Sequence, residues 1–209
     1  MVPKRWHGLA KEDSMMSQFP VIIDKRDPNI EFLGSEASGA VFSKDKRFRF
    51  LLWRIWDESK PLLHWCMLNP SSADQNESDP TLTKCCSFAK KWKMGGVILT
   101  NLFPAIATYP VELLKMDDRR GPMAYMEGGI DGPDYVNKKY LLFAAQNSDL
   151  TIVGWGNNVQ RLNCLRVIEE TVYVLNKVRP VKCIRKTKMG HPSHPLYIPL
   201  TAEPIDWSI

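Results

Sequence analysis

Four polar, turn-rich segments each follow a short apolar run, and they hold most of the side chains that could do chemistry. They span residues 69–74, 100–104, 154–158 and 190–196. Their amides, carboxylates, hydroxyls and imidazoles can orient a water, exchange protons or hydrogen-bond a leaving group. Ligands of open parallel sheets bind beyond the carboxyl ends of the strands. If the four apolar runs are parallel strands, the four segments therefore meet at one edge and form one site.

Each of the first three segments also has a purely structural interpretation. Asn69-Pro70 is a common turn, because Asn bonds to its own backbone and Pro fixes the corner. Asn101, at the end of a buried run, could be a core amide that is satisfied locally. Trp155, between Gly154 and Gly156, could be a packing indole in a tight turn. The case for a site is thus the convergence of the segments, which is stronger than any one of them.

The last segment carries two histidines, each followed by a proline. His191 and His194 could be loop residues, or a metal pair with Asp74 or Asp79, although these carboxylates lack the spacing of a metal site. The five cysteines contain no C-x-x-C pair, and an iron–sulfur cluster needs about four well-placed thiolates. We therefore expect no metal and no cofactor, and we interpret the cysteines as reduced thiols.

Strands and helices alternate from about residue 60 onward. Asp79-Pro80 predicts a helix start, with Asp as the cap and Pro at the first helical position, and Asn157 or Asn158 predicts another. This alternation predicts an α/β fold with a central, mostly parallel four-stranded sheet flanked by helices. The four buried strands are predicted at residues 62–68, 97–102, 150–153 and 181–184.

The chain divides into an arm and one domain. Residues 1–38 are polar and interrupted by Pro and Gly, so we expect an irregular arm. Alternating residues at 47–55 and turn residues at 43–46 predict a hairpin. Residues 39–209 are then a single α/β domain, whose size allows one large core.

Composition limits the function classes. The chain has 209 residues, a net charge of +5 and a pI of about 8.9, a mild basicity that is compatible with a phosphate-bearing partner. No run of apolar residues is long enough to span a membrane, and the N-terminus lacks the apolar core of a secretory signal. We therefore expect a cytoplasmic protein.

Six motifs lie along residues 47–205, which make up about three quarters of the chain. They are Met67-Leu68-Asn69-Pro70-Ser71-Ser72-Ala73-Asp74, Asp79-Pro80-Thr81, Gly95-Gly96, Asn101-Leu102-Phe103, Trp155-Gly156 and Gly190-His191-Pro192-Ser193-His194-Pro195-Leu196-Tyr197. On these motifs, residues 47–205 resemble a bacterial family known as domain of unknown function 1643, a resemblance that implies no function by itself.

The order of these motifs also resembles the uracil-DNA glycosylase superfamily. That superfamily has an Asp-Pro or Asn-Pro motif after its first core strand, then a strand ending in a base-reading Asn, a Trp-Gly turn and a His-Pro-Ser loop. The matching residues here are Asn69-Pro70, Leu99-Thr100-Asn101, Trp155-Gly156 and His191-Pro192-Ser193. This chain departs from the pattern because no Tyr-His follows Asn69-Pro70, and the absence of cluster cysteines excludes the iron–sulfur branches.

The superfamily resemblance implies a three-layer α/β/α sandwich and a DNA glycosylase. Such an enzyme hydrolyses the N-glycosidic bond of a flipped uracil or modified pyrimidine base. Asn69 would orient the attacking water, and His191 would hydrogen-bond the departing base. Asp74, Glu77 or Asp79 could supply the missing general base. The residues implied to bind the base are Asn101, Phe103 and Trp155.

The implied partner is DNA, single- or double-stranded, bound by a monomer. Leu196 stands where some branches of the superfamily insert a wedge into the duplex. Serines and basic residues would contact phosphates, which position the strand without reading its sequence, although the basic cluster could equally be a solvated edge. The phosphate-contact candidates are Ser71, Ser72, Lys182, Arg185, Lys186, Lys188 and Ser193.

Two other function classes remain open. The same pocket could serve an enzyme that acts on free nucleosides or nucleotides. It could also serve a non-catalytic reader of a modified base or nucleotide, because the amide of Asn69 has no basicity. The basic stretch 182–188 and a wedge at Leu196 favour DNA over a free nucleotide.

Overall fold

Eight strands form one sheet in the computed structural model, which describes residues 30–71, 76, 78–115 and 133–209. Across the sheet they lie in the order β1-β2-β3-β5-β4-β6-β7-β8. The strands are Ile30–Gly34 (β1), Ser38–Ser43 (β2), Arg49–Ile55 (β3), Leu62–Met67 (β4), Gly96–Asn101 (β5), Leu150–Val153 (β6), Lys182–Cys183 (β7) and Ile205–Asp206 (β8).

The sheet is mixed. The pairs β1-β2, β2-β3, β3-β5 and β7-β8 are antiparallel, whereas β5-β4, β4-β6 and β6-β7 are parallel. The predicted fold with a central, mostly parallel four-stranded sheet is therefore wrong, because the sheet has eight strands and is mixed. Short connections join β1, β2 and β3, and such connections allow only antiparallel pairing. These strands, together with β8, make four of the seven pairs antiparallel.

Part of the predicted irregular arm belongs to the sheet. β1 pairs with β2 from Ile30 opposite Ser43 to Gly34 opposite Gly39. Ile30 is buried, and the ring centroid of Phe32 lies 5.3 Å from that of Trp53. Gly34 turns the chain with a φ of 111°, which favours glycine. Residues 30–38 are thus ordered by packing on β2 and β3, and residues 1–29 of the arm lie outside the described residues.

Helices cover both faces of the sheet. They are Pro80–Lys91 (α1), Pro133–Gln146 (α2) and Leu165–Asn176 (α3). α1 packs with β4 residues such as Trp65 on one face, and α2 and α3 pack with residues such as Cys66 on the other. α1 begins as predicted, with the Oδ1 atom of Asp79 accepting from the backbone N–H of Leu82 at 2.7 Å.

The prediction that a long helix begins at Asn157 or Asn158 is wrong. A 3₁₀ turn spans Asn157–Gln160, and α3 begins only at Leu165. Asn163 has a φ of 46°, a left-handed conformation that interrupts a right-handed helix. The interruption keeps Asn157 and Asn158 in a turn beside the end of β6.

A polar cluster lies in the middle of the sheet. His64 on β4 is fully buried, with Nδ1 3.3 Å from Oγ1 of Thr151 and Nε2 2.8 Å from Oγ1 of Thr100. The two threonines lie on the strands that flank β4. Burial, with a smaller contribution from the charge of Arg179, lowers the pKa of His64 to about 3. The imidazole is therefore neutral at neutral pH.

Candidate functional site

A cavity of about 510 Å³ lies beyond the ends of β4 and β6. Its walls come from the turn after β4, the start of α1, the turn after β6 and the loop after β7. Three of the four predicted segments therefore reach it, and the segment 100–104 does not. The polar and charged residues of its lining are Arg49, Asn69, Ser71, Asp79, Thr81, Thr108, Asn157, Asn158, Arg185, Thr187, Ser193, His194 and Tyr197.

Asn69 lines the cavity, and its amide group has a fixed orientation. Nδ2 donates to the carbonyl oxygens of Ala107 at 2.7 Å and Pro70 at 3.0 Å. These two acceptors use both hydrogens of the amide. Oδ1 is therefore the polar atom of this side chain that remains for a water or a ligand.

Asp79 lines the cavity while it caps α1. Its Oδ2 accepts a short hydrogen bond from the hydroxyl of Ser71, and its Oδ1 accepts from the backbone N–H of Leu82. Two donors thus hold the carboxylate in one position at the cavity wall. Of the three carboxylates predicted as candidate general bases, Asp74 and Glu77 lie outside the described residues, as does Ser72.

The histidine that lines the cavity is His194, and His191 is not part of the lining. Nδ1 of His194 accepts from the backbone N–H of Leu196 at 3.4 Å, so the neutral ring carries its proton on Nε2. Burial lowers the pKa of His194, and the charge of Asp79 opposes that shift. His194 therefore acts as a neutral N–H donor at neutral pH.

Only the second His-Pro pair turns its histidine toward the cavity, for a local reason. His194 caps the 3₁₀ turn Pro195–Tyr197, which fixes its ring beside that turn. His191 lies earlier, where its carbonyl accepts from the backbone N–H of Thr187 at 2.7 Å. A proline at the first position of a turn is the sequence signal for such a cap. That signal follows both histidines and does not choose between them.

The Trp155-Gly156 turn forms the opposite wall. Trp155 lines the cavity, is buried, and packs edge-on against Trp207 with ring centroids 5.2 Å apart. Its Nε1 has no hydrogen-bond partner within the described part of the chain. The backbone N–H of Gly156 donates to the carbonyl of Pro192 at 2.8 Å, so this turn is tied to the loop that carries His194.

The structure places two of the predicted base-binding residues outside the cavity lining. With its amide turned so that the nitrogen faces the neighbouring acceptors, Asn101 donates to the backbone carbonyls of Asn69 at 3.2 Å and Thr100 at 3.3 Å. Phe103 is buried in the apolar core that α2 and α3 cover. Asn101 thus holds the turn that carries Asn69, whereas Phe103 packs the core.

Arg49 is a lining residue that the sequence did not single out. Its side chain is only 3% exposed, although it stands at the start of β3 between Phe48 and Phe50. Buried arginines are rare unless they are paired or serve a ligand. An arginine in a run of aromatic residues was the available signal.

The predicted phosphate contacts are divided. Ser71, Arg185 and Ser193 line the cavity, as does the predicted wedge Leu196. Lys182 forms an ion pair with Asp206, with Nζ 2.5 Å from Oδ1. Lys186 and Lys188 are exposed on the loop that joins β7 to the cavity.

The fold and this cavity define the chain as an α/β protein with a mixed sheet and a polar site at the ends of its parallel strands. Residues 49–196 match the model of the family described as protein of unknown function (DUF1643), and the chain belongs to that family. Searches of curated proteins and of solved structures give no match. Among the described helices, none is long and apolar enough to cross a membrane.

Proposed function

We propose that the cavity hydrolyses the N-glycosidic bond of a uracil or modified pyrimidine unit of DNA. The observation that carries the proposal is the pairing of an oriented acceptor, Oδ1 of Asn69, with an oriented donor, Nε2–H of His194, in one cavity. Cleavage of this bond separates a cationic sugar from an anionic base, so an enzyme needs both kinds of group. A volume of about 510 Å³ lies within the common range of about 300–1,000 Å³ for small-ligand sites.

Asn69 serves the sugar side of the reaction. Because both amide hydrogens are engaged by carbonyls, the oxygen faces the ligand with a partial negative charge. It can hold the attacking water and stabilise the positive charge that develops on the sugar. Asp79, on the same cavity wall, is the described carboxylate best placed to accept the proton of that water, and Ser71 holds it in position.

His194 serves the base side. A neutral imidazole that donates from Nε2 stabilises negative charge on a pyrimidine oxygen without itself losing a proton. The guanidinium of Arg49, which also lines the cavity, adds a positive charge that favours the anionic leaving base.

The motif order shared with the uracil-DNA glycosylase superfamily supports the same proposal, with His194 in the role that the motif alone gives to His191. The sheet differs from the fold that this likeness implied, so the proposal depends on the groups in the cavity. Free thiols at all five cysteines suit a reducing compartment. We also propose that the protein is a monomer and acts in the cytoplasm.

The test incubates the protein with oligonucleotides that carry uracil, mismatched thymine or modified pyrimidines, in single- and double-stranded form. Release of the base leaves abasic sites, which alkali converts into strand breaks. We expect abasic product from at least one substrate. His194→Ala and Asn69→Ala should each lower the rate by about a hundredfold or more, which is the usual effect of removing one such group.

His191→Ala is the matched control, because it removes the same ring from the same loop outside the cavity lining. An equal loss of activity in His191→Ala and His194→Ala would contradict the assignment of His194. Two other outcomes favour the alternative functions. Base release from nucleosides or nucleotides but not from oligonucleotides indicates an enzyme of free nucleotides. Tight binding with no base release from any substrate indicates a non-catalytic reader.

A further inference from the structure

The rim of the cavity carries an exposed aromatic ring next to a basic hairpin. Tyr197 lines the cavity, yet its side chain is 76% exposed. A guanidinium nitrogen of Arg185 donates to the backbone carbonyl of Tyr197 at 3.4 Å. The neighbouring Leu196, predicted as a wedge, is partly buried. Tyr197 is therefore the side chain of this turn that reaches furthest into solvent.

The basic hairpin, residues 184–193, runs along the same rim. Backbone bonds from Ser193 N–H to the carbonyl of Arg185 and from Thr187 N–H to that of His191, each 2.7 Å, close it. Its tip is held where the indole N–H of Trp207 donates to the carbonyl of Gly190 at 3.2 Å. The hairpin contains no acidic residue and three basic ones, which are Arg185, Lys186 and Lys188.

We infer that the basic hairpin and Tyr197 form a binding surface for a single-stranded polynucleotide whose one unit enters the cavity. The inference deepens the proposed function and rests on it for the entering unit. An exposed ring stacks on a flanking base, and exposed cations contact backbone phosphates, which is how proteins bind single strands without reading their sequence. An anionic peptide would pair with the cations, but it has no base that could stack on the exposed ring of Tyr197.

The surface also distinguishes a strand from a free nucleotide. A nucleotide of one unit fits inside the cavity and has no second base to stack on Tyr197. Lys186 and Lys188 of the basic hairpin are exposed and are not part of the cavity lining, so a ligand that contacts both these lysines and the cavity must be longer than one unit. We therefore expect affinity to increase with strand length beyond one nucleotide.

The experiment measures fluorescence anisotropy of a labelled 12-residue oligothymidylate, which contains no uracil, no modified pyrimidine and no mismatch. Tyr197→Ala should weaken binding by about tenfold, because base stacking on an aromatic ring is lost, and Tyr197→Phe should retain it. Tyr173→Ala is the matched control, since Tyr173 on α3 is 63% exposed but is not part of the cavity lining. Equal affinities of Tyr197→Ala and Tyr173→Ala would overturn the inference.

The charge component has its own variants. The double variant Lys186→Ala, Lys188→Ala should reduce the slope of log affinity against log salt by about 1.4, or about 0.7 for each lost phosphate contact on a single strand. The control is the double variant Lys90→Ala, Lys93→Ala. It removes the same charge beside the start of β5, at the end of the parallel strands that lies away from the cavity. Equal slopes for the two double variants would overturn the phosphate contacts.

Competitors separate the other ligands. Excess unlabelled oligothymidylate should displace the probe, whereas thymidine monophosphate, a duplex of the same length and polyglutamate should displace it far less. Equal displacement by any of these three overturns a single-strand surface. If the protein releases a base but shows none of these binding differences, the proposed function stands and the binding surface is wrong. If it shows the binding differences but releases no base, the binding surface stands and the proposed function is wrong.

Discussion

Two regions of this protein bury a histidine, and they use it in opposite ways. In the middle of the sheet, both ring nitrogens of His64 are engaged by hydroxyls of Thr100 and Thr151. At the ends of the parallel strands, Nδ1 of His194 is engaged by the backbone N–H of Leu196, and no other described residue bonds to its ring nitrogens. Burial lowers the pKa of both rings. Burial and a shifted pKa therefore do not distinguish a site from a core, whereas the number of engaged polar atoms does.

The same contrast applies to the amides. Asn101 gives its amide group to the backbone carbonyls of two neighbouring residues, and it stabilises a turn. The amide nitrogen of Asn69 donates both hydrogens to backbone carbonyls, so its oxygen remains as an acceptor for a ligand in the cavity. The first group stabilises the fold, and the second is oriented by the fold for use by a ligand. Substitutions that separate stability from activity test this division.

The largest expected effect on stability comes from His64→Ala. This change removes a buried ring and leaves two threonine hydroxyls without that partner, so we expect a loss of at least about 3 kcal/mol in the free energy of unfolding. His194→Ala should cost about 1 kcal/mol or less, although it abolishes the proposed donor. Urea unfolding of both variants measures the difference, and equal losses would contradict the division between core and cavity.

The pH dependence of stability is expected to come next in size. The pKa of His64 is about 3 in the folded protein and 6.5 is its ordinary value, so the unfolded chain binds the extra proton between these values. Stability is therefore full above pH 6.5 and falls as the pH falls toward 3, by about 1.4 kcal/mol per pH unit. His194, whose pKa is also lowered, adds to this loss.

Urea unfolding at pH 7 and pH 5 measures this dependence. The wild-type chain should lose about 2 kcal/mol between pH 7 and pH 5 through His64 alone. The variant His64→Gln, which keeps hydrogen bonding without titrating, should lose less over the same interval. An identical pH dependence in both proteins would show that another group causes it.

Gly156→Ala should have a smaller effect on stability, with a consequence for the site. Gly156 has a φ of 72° and a ψ of −166°, a conformation nearly restricted to glycine, so we expect a cost of about 1–2 kcal/mol. An added Cβ would also lie 3.6 Å from the Cβ of His194. Gly190→Ala is the control, because its φ is 83° and an added Cβ meets no atom within 4 Å. Only Gly156→Ala should lower base release.

The smallest effect is expected from the cap of α1. Asp79→Ala removes the acceptor of the Leu82 N–H and should cost about 1 kcal/mol in stability. Asp79→Asn retains an acceptor and should cost only a few tenths of that, but it removes the carboxylate from the cavity. Unfolding midpoints and rates of base release measured side by side separate the two roles. Loss of activity in Asp79→Ala but not in Asp79→Asn would contradict Asp79 as the general base.

Local signals predicted those parts of the fold that short segments determine. The cap at Asp79 and the apolar run at 62–68 gave α1 and β4 close to their observed bounds. The failure concerned pairing, because β3 lies antiparallel beside β5, and such a contact between distant segments leaves no local pattern. Residues 30–34, Ile-Glu-Phe-Leu-Gly, form a strand by pairing with β2, but they were predicted as part of an irregular arm because the segment 1–38 as a whole is polar and interrupted by Pro and Gly.

The candidate site was predictable in its location and less so in its members. Asn69, Asp79 and Trp155 line the cavity because strand ends converge, and strand ends are visible in the sequence. The choice of His194 over His191 depends on which way a loop folds back, and both histidines precede proline. Arg49 lies on β3, which was predicted as part of a hairpin, but the pairing of β3 with β5 that brings it to the cavity was not predicted. The rest of the site was therefore hidden by the same contacts between distant segments that hid the sheet.

The place of β4 in the middle of the sheet has a consequence for the synthesis of the chain. β4 is complete at Met67, but one of its two neighbours is β6, which ends at Val153. Until residue 153 has left the ribosome, one edge of this largely apolar strand has no pairing partner, and such an edge is a template for aggregation. Nascent chains of intermediate length are therefore the form of this protein that most needs a chaperone.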